Sequence, residues 1–192
     1  MRNSEFILKL SKLASTPTCY ATGAFGASVG MYNNRDRYSS NTSNKAVKQA
    51  IKDAPDGTFL FDCIGLGKAL LWDFSFDPDM RYGGAVYKAH DIPDFSIKSL
   101  DKYGEFSTNM DYILIGEWLR SKNKDHVGYY IGEGMYIDIS QSNKDYRVTI
   151  HRSINDREWD GHCKMQWIEY ADPFAILQCP HCGKDIKIII GK

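Results

Sequence analysis

The chain has 192 residues, with 24 Lys+Arg balanced by 24 Asp+Glu. At roughly 150 residues per domain, that length fits one domain with at most a small appendage. Zero net charge supplies neither a basic stripe for phosphates nor a polybasic membrane footprint, so nucleic-acid binding and membrane insertion are not expected. Charged residues at 25% and hydrophobic residues at 43% exclude a disordered chain.

Residues 4–14 read as a short helix with Ser4 as its cap. The Gly- and Thr-rich stretch TPTCYATGAFGASVGMYNN reads as a loop, and so does the polar RDRYSSNTSN after it. Asn44 is placed to cap a helix over 45–53, and Pro55-Asp56-Gly57 makes a turn. The longest apolar stretch is FLFDCIGLGKALLWDF, over 59–74. It predicts a helix from Cys63 to Phe74 with Asp62 at the N-cap. Gly65 and Gly67 each cost about 1 kcal/mol against Ala in a helix, so a second backbone is expected to lie close by.

Residues 75–112, rich in Asp, Pro, Gly and Tyr, read as a surface excursion. Alternating segments then predict strands at 113–119, 126–131, 135–140, 147–151 and 164–170. Helices first and antiparallel strands later define an α+β domain over 1–172, followed by a small CxxC-containing tail over 173–192. The 12 Tyr, 9 Phe and 4 Trp suit a packed β core. The N-terminal segment lacks the uninterrupted apolar run of a secretory signal, so synthesis in a cytoplasm is expected.

A cysteine in the first turn of a helix sits at the positive end of the macrodipole, where the thiolate is favoured over the thiol. Cys63 occupies such a position; the alternative is a small buried hydrophobe. A nucleophile also needs a base. His126 opens the segment HVGYYIG, and alternation puts His126, Gly128 and Tyr130 on one face. If Gly132-Glu133-Gly134 forms the loop, Ile131 pairs with Met135 and Gly128 faces Asp138. Asp138 is then diagonal to His126, roughly 7–8 Å away at the backbone and within side-chain reach. A two-residue loop would flip the parity and put Asp138 on the far face. Taken singly, His126 also fits a strand-edge histidine and Asp138 the wet face of a hairpin.

DCIGL at 62–66 resembles the nucleophile motif of NlpC-type cysteine peptidases, and DHVGYYIGEGMYIDIS at 125–140 resembles that family's histidine hairpin. TPTCYATGAFG, FSTNMDYILIGEWL and REWDGHCKMQWIEY are similar to further segments of its phage endolysin branch, in the same order over about 16–170. The chain departs from the pattern at Ile64, where Ser is usual, and at Cys163, where Gly is commoner. The resemblance implies a papain-like core, with N-terminal helices and the nucleophile helix packed on an antiparallel sheet, that cleaves an amide bond in bacterial peptidoglycan. It implies Cys63 as nucleophile, His126 as general base and then acid, and Asp138 as orienter of the imidazole. Tyr20, Asp62 and Tyr130 would line the substrate site, and the Cys63 N–H would serve the oxyanion hole. The implied bond joins D-Glu to diaminopimelate or Lys in the stem peptide, and the implied place of action is the cell wall after release from the cytoplasm. Cleavage between sugar and L-Ala is the alternative on the same core; a non-catalytic, zinc-stabilised structural or tail protein is the alternative outside enzymes.

No cofactor is needed for that chemistry. Cys179 and Cys182 form a CxxC turn that supplies half of a structural zinc site, with His162, Cys163 and His181 as candidates to complete it. Two thiols or a reversible disulfide are the other readings of that pair. The Ile186–Ile190 run reads as a strand that docks on the domain or on a second copy, which would make a homo-oligomer. His90 and His151 read as ordinary histidines with no partner visible in the sequence.

Overall fold

The computed structural model describes residues 1–170 and the backbone of two strands at 174–178 and 185–189. Cys179, His181 and Cys182 lie outside the described residues. In chain order the helices are α1 (Asn3–Ala14), α2 (Asn34–Ser40), α3 (Lys45–Asp53) and α4 (Cys63–Leu71). The strands are β1 (Thr18–Tyr20), β2 (Phe25–Ser28), β3 (Phe59–Phe61), β4 (Gly104–Ser107), β5 (Trp118–Ser121), β6 (Val127–Gly132), β7 (Met135–Asp138), β8 (Thr149–His151), β9 (Trp159–Met165), β10 (Phe174–Gln178) and β11 (Asp185–Ile189). This is a mixed α+β molecule, as the sequence predicts. Among the described residues no helix is long and apolar enough to cross a membrane.

The chain divides into two interleaved units. The first comprises Met1–Ser15, Phe95–Asp138 and the chain from Ile150 onward; the second comprises Thr16–Asp94 and Ile139–Thr149.

In the first unit, a six-stranded sheet runs in the order β4-β9-β5-β6-β7-β8. Its β4–β9, β9–β5, β5–β6 and β6–β7 pairs are antiparallel. Helix α1 buries Phe6, Ile7, Leu10 and Leu13, a spacing that gives one apolar stripe. The Phe6 ring lies 6.1 Å from Trp118 and 5.6 Å from Tyr129, and those two pack edge-on at 5.0 Å. Ser4 does not cap α1. The N-cap is Arg2, and Asn3 ties the helix start to Ile115 through an Nδ2–O bond of 3.2 Å. The predicted last strand also moves: β9 runs from Trp159 to Met165, 166–167 form a turn, and Glu169 makes an isolated parallel bridge to Arg2. β10 and β11 pair antiparallel, one residue earlier than the 186–190 reading.

The second unit contradicts both loop predictions. The Gly- and Thr-rich stretch contributes β1, parallel to β3, and β2, antiparallel to β3. Helix α4 packs on β2 and β3, so within its own unit the helix lies on a small mixed sheet and not on an antiparallel one. The polar stretch after β2 forms α2. Its Arg35 reaches the far end of α3, donating to the Lys52 and Ala54 carbonyls and to Asp56 Oδ1 at 2.7 Å. Those carbonyls have no partner within α3, so one guanidinium satisfies a helix C-terminus and fixes α2 against it. Helix α3 begins as predicted, with Asn44 Oδ1 accepting from the Ala46 and Val47 amides.

Candidate active site

Asp62 and Cys63 belong to the second unit. Strand β3 ends at Phe61, and Asp62 stands between it and α4 in extended conformation. Its Oδ1 accepts the Gly65 amide at 2.6 Å and its Oδ2 accepts the Gly23 amide at 2.8 Å. The Asp62 amide donates to the Ala24 carbonyl at 2.9 Å. One residue thus caps the helix and ties it to the 21–24 loop on three hydrogen bonds. Burial pushes the Asp62 carboxyl above its ordinary range, against the opposing pull of the two amides and Lys68. With both carboxylate oxygens committed to amides, Asp62 is built first as a cap.

Cys63 is the first residue of α4 and is 6% exposed. The close backbone predicted from the glycines is there. A Cβ at Gly65 would overlap the Ala24 carbonyl oxygen and stand 2.8 Å from Asp62 Oδ1. Tyr20, at the end of β1, lies within electrostatic range of both Cys63 and Asp62. Burial raises its phenol, while hydrogen bonds to Gln141 and Thr22 oppose that rise.

The same unit holds an open groove of about 700 Å³ lined by Phe25, Arg37, Met80, Arg81, Tyr82 and Tyr87 among others. Phe25 packs on Tyr82 at 4.2 Å and on Tyr87 at 5.8 Å. The guanidiniums of Arg37 and Arg81 lie over the Tyr38 and Tyr82 rings.

His126 and Asp138 belong to the first unit. His126 directly precedes β6, and its amide donates to Ser121 Oγ at 3.0 Å. That hydroxyl in turn donates to Asp125 Oδ1 at 2.7 Å, which pins the tight turn ahead of the strand. The His126 ring meets Asp138, Nε2 to Oδ2 at 2.7 Å, and the Asp138 side chain is wholly buried. Gly128 makes room for the Trp159 and Tyr136 rings. A Cβ there would stand 2.9 Å from the Trp159 ring and 3.0 Å from the Tyr136 ring.

The register that brings them together differs in detail from the prediction. Tyr130 pairs with Tyr136 and Tyr129 with Ile137, as a three-residue loop requires. Gly132, however, pairs with Met135, which leaves Glu133-Gly134 as a two-residue turn. A bulge at Ile131 absorbs the extra residue and restores the parity. The Tyr130 hydroxyl accepts the Gly134 amide at 3.2 Å, bracing that same turn.

His151 corrects the sequence reading. At the end of β8, its Nε2 lies 2.8 Å from Asp138 Oδ1, so the carboxylate serves two imidazoles. The ring stacks on Tyr136, at 4.3 Å between centroids and 6° between planes. Arg157 Nη2 is 3.8 Å from Asp138 Oδ2. The Tyr136 phenol is pushed up to about 12, first by burial and then by the Asp138 charge.

His162 and Cys163, candidates for a metal with the tail, have other partners. His162 Nδ1 pairs with the buried Glu117, and its Nε2 meets the Asn109 carbonyl at 3.0 Å. Cys163 points its Sγ at the Leu100 carbonyl, and burial raises its thiol to about 12. Among the described residues, no group of three or more His, Cys, Asp or Glu is arranged to hold a metal ion. His90 pairs with Asp73 at the surface, at 2.7 Å.

No protein-family model matches the chain. No curated protein sequence matches it either. Among solved structures it is similar to the peptidoglycan hydrolase RipB of Mycobacterium tuberculosis, with 18% sequence identity and a TM-score of 0.50. The match covers 88% of this chain and 65% of RipB, so the chain spans just under two thirds of that protein's length. At that identity the likeness is one of fold: this chain shares the α+β architecture of RipB over most of its residues.

Proposed function

We propose that the protein is a peptidoglycan hydrolase with a papain-like core that cleaves a stem-peptide amide bond by cysteine chemistry. The observation that carries this reading is the His126–Asp138 pair. A buried carboxylate accepts from one ring nitrogen of an imidazole, which fixes its tautomer and leaves the other nitrogen, Nδ1, to act as a base. A helix-start cysteine clamped by Asp62, and a fold shared with a peptidoglycan hydrolase, support the same reading.

In this reading Cys63 attacks the amide carbonyl as thiolate, favoured by the dipole of α4. His126 holds the thiol proton and passes it to the leaving amine. Water then attacks the thioester with His126 as base, which releases the acid and restores the thiol. Asp138 steadies the imidazolium while it exists. The Cys63 amide, at the helix start, supplies an oxyanion donor. The groove in the second unit, aromatic with two guanidiniums, suits a peptide bearing carboxylates. We assign the D-Glu to diaminopimelate or Lys bond as the target, reached at the wall after synthesis in a cytoplasm.

The test is digestion of purified cell walls, with mass spectrometry of the released muropeptides. Wild type releases fragments cut in the stem peptide. Cys63→Ala and His126→Ala each lower the rate by about a thousandfold or more. Undiminished digestion by Cys63→Ala overturns the reading, and fragments cut between sugar and L-Ala reassign the bond.

A further inference from the structure

We propose that His151 is a positioning residue that acts through Asp138: it holds one carboxylate oxygen so that the other faces His126, and it limits how strongly Asp138 favours the His126 cation. The catalytic consequence rests on the function proposed above, whereas the effect on His126 itself does not.

Asp138 is wholly buried, and each of its oxygens takes one imidazole Nε2: Oδ2 that of His126 at 2.7 Å, Oδ1 that of His151 at 2.8 Å. An ionised carboxylate only accepts, so both Nε2 atoms carry their hydrogen. In neutral His126 this leaves the lone pair on Nδ1, the atom that a base must offer. The second histidine is also held by its surroundings. Its ring lies flat on Tyr136, and Tyr136 packs edge-on against Trp159, so the direction of the His151 N–H is set by stacking. A carboxylate with one oxygen anchored in this way cannot rotate about its terminal torsion, which is otherwise soft. His151 therefore orients Asp138 as Asp138 orients His126.

The electrostatic consequence follows from sharing. A buried carboxylate beside an imidazole stabilises its cation, and a second N–H donor on the same carboxylate stabilises the anion and weakens that pull. Other charged or titratable groups among the described residues also face this cluster. Arg157, ahead of β9, lies 3.8 Å from Oδ2, and Asp156 from the same turn reaches Tyr136 by its field. Tyr136 itself faces from β7, and Asp125 lies beyond Ser121 on the turn before β6. Arg157 is present in both variants of His151 used below, so the contrast between them reads the donor at Oδ1.

Two variants separate position from packing. His151→Phe keeps the stack on Tyr136 and removes the donor; His151→Gln keeps a donor for Oδ1. The His126 titration is read by NMR with histidine labelled at Cε1, on the whole chain, and the acid limb of wall digestion is read in parallel. With the donor gone, Asp138 holds the imidazolium more tightly. The His126 midpoint and the acid limb both move to higher pH in His151→Phe, by roughly half a unit to one unit. Turnover at the wild-type optimum falls about tenfold, as for a lost outer-shell partner. His151→Gln returns both readouts to near the wild-type values. An unmoved His126 midpoint in His151→Phe, or equal behaviour of the two variants, overturns the proposal. Because the NMR titration needs no turnover, absence of wall digestion by wild type would defeat the proposed function and leave the role of His151 to be decided.

Discussion

Gly65→Ala provides a sharp test of the packing at the start of α4. In an unconstrained helix interior this change stabilises by about 1 kcal/mol, because Ala loses less backbone freedom than Gly. Here the new methyl would overlap the Ala24 carbonyl oxygen and stand 3.0 Å from its carbon and 2.8 Å from Asp62 Oδ1. None of these atoms belongs to a flexible side-chain end. The Ala24 oxygen accepts the Asp62 amide, and Asp62 Oδ1 accepts the Gly65 amide itself. Relief therefore breaks both the backbone bond, at about 1 kcal/mol, and the cap, at a further ~1 kcal/mol, on top of about 1–3 kcal/mol of overpacking. After subtracting the propensity gain, the variant should be about 2–4 kcal/mol less stable than wild type. With a urea slope of about 2 kcal/mol per molar, the unfolding midpoint falls by roughly 1–2 M. Equilibrium urea unfolding followed by tryptophan fluorescence measures it. A midpoint that stays put or rises refutes the close approach, and with it the account of why a glycine stands two residues after Cys63.

Other expectations follow from separate parts of the molecule. Burial lifts the Cys19 thiol to about 11 and the Cys163 thiol to about 12, so at pH 7.5 iodoacetamide should alkylate Cys63 faster than either, as read by peptide mapping; equal rates would count against an activated sulfur. Burial lowers the pKa of His162, but its bond and charge contact with Glu117, together with the Asn109 carbonyl, outweigh burial and leave it raised. A raised folded value means stability that is complete below the unfolded histidine value of about 6.5 and is lost as pH climbs through the folded one. The stability gap between wild type and His162→Asn, from urea unfolding, should therefore be wider at pH 5.5 than at pH 8.5, and a gap that widens toward alkali contradicts the pairing. Reversing both guanidiniums of the second-unit groove, Arg37→Glu with Arg81→Glu, should raise KM for a carboxylate-bearing stem peptide about tenfold with kcat retained; an unchanged KM removes the groove from substrate binding.

What could be read from the sequence divides along a physical line. Asp62 capping Cys63, Asn44 capping its helix and the approach of His126 to Asp138 are local: each is set by residues within one turn or one hairpin, where side-chain direction follows from periodicity. Even there the bulge at Ile131 was invisible, because two turn geometries reach the same parity by different routes. Strands β1 and β2 were hidden for another reason. Each has only three or four residues of mixed polarity, and each exists because β3 lies between them, contributed by a segment beyond both α2 and α3. Helix α2 depends in the same way on Arg35 finding carbonyls at the end of α3. His151 is the most instructive case. No spacing in the chain links it to Asp138, because the link passes through Ile139–Thr149, a segment that belongs to the other unit. A carboxylate that looked committed to one histidine proves to be shared, and only the return of the chain to the sheet edge reveals the second claimant.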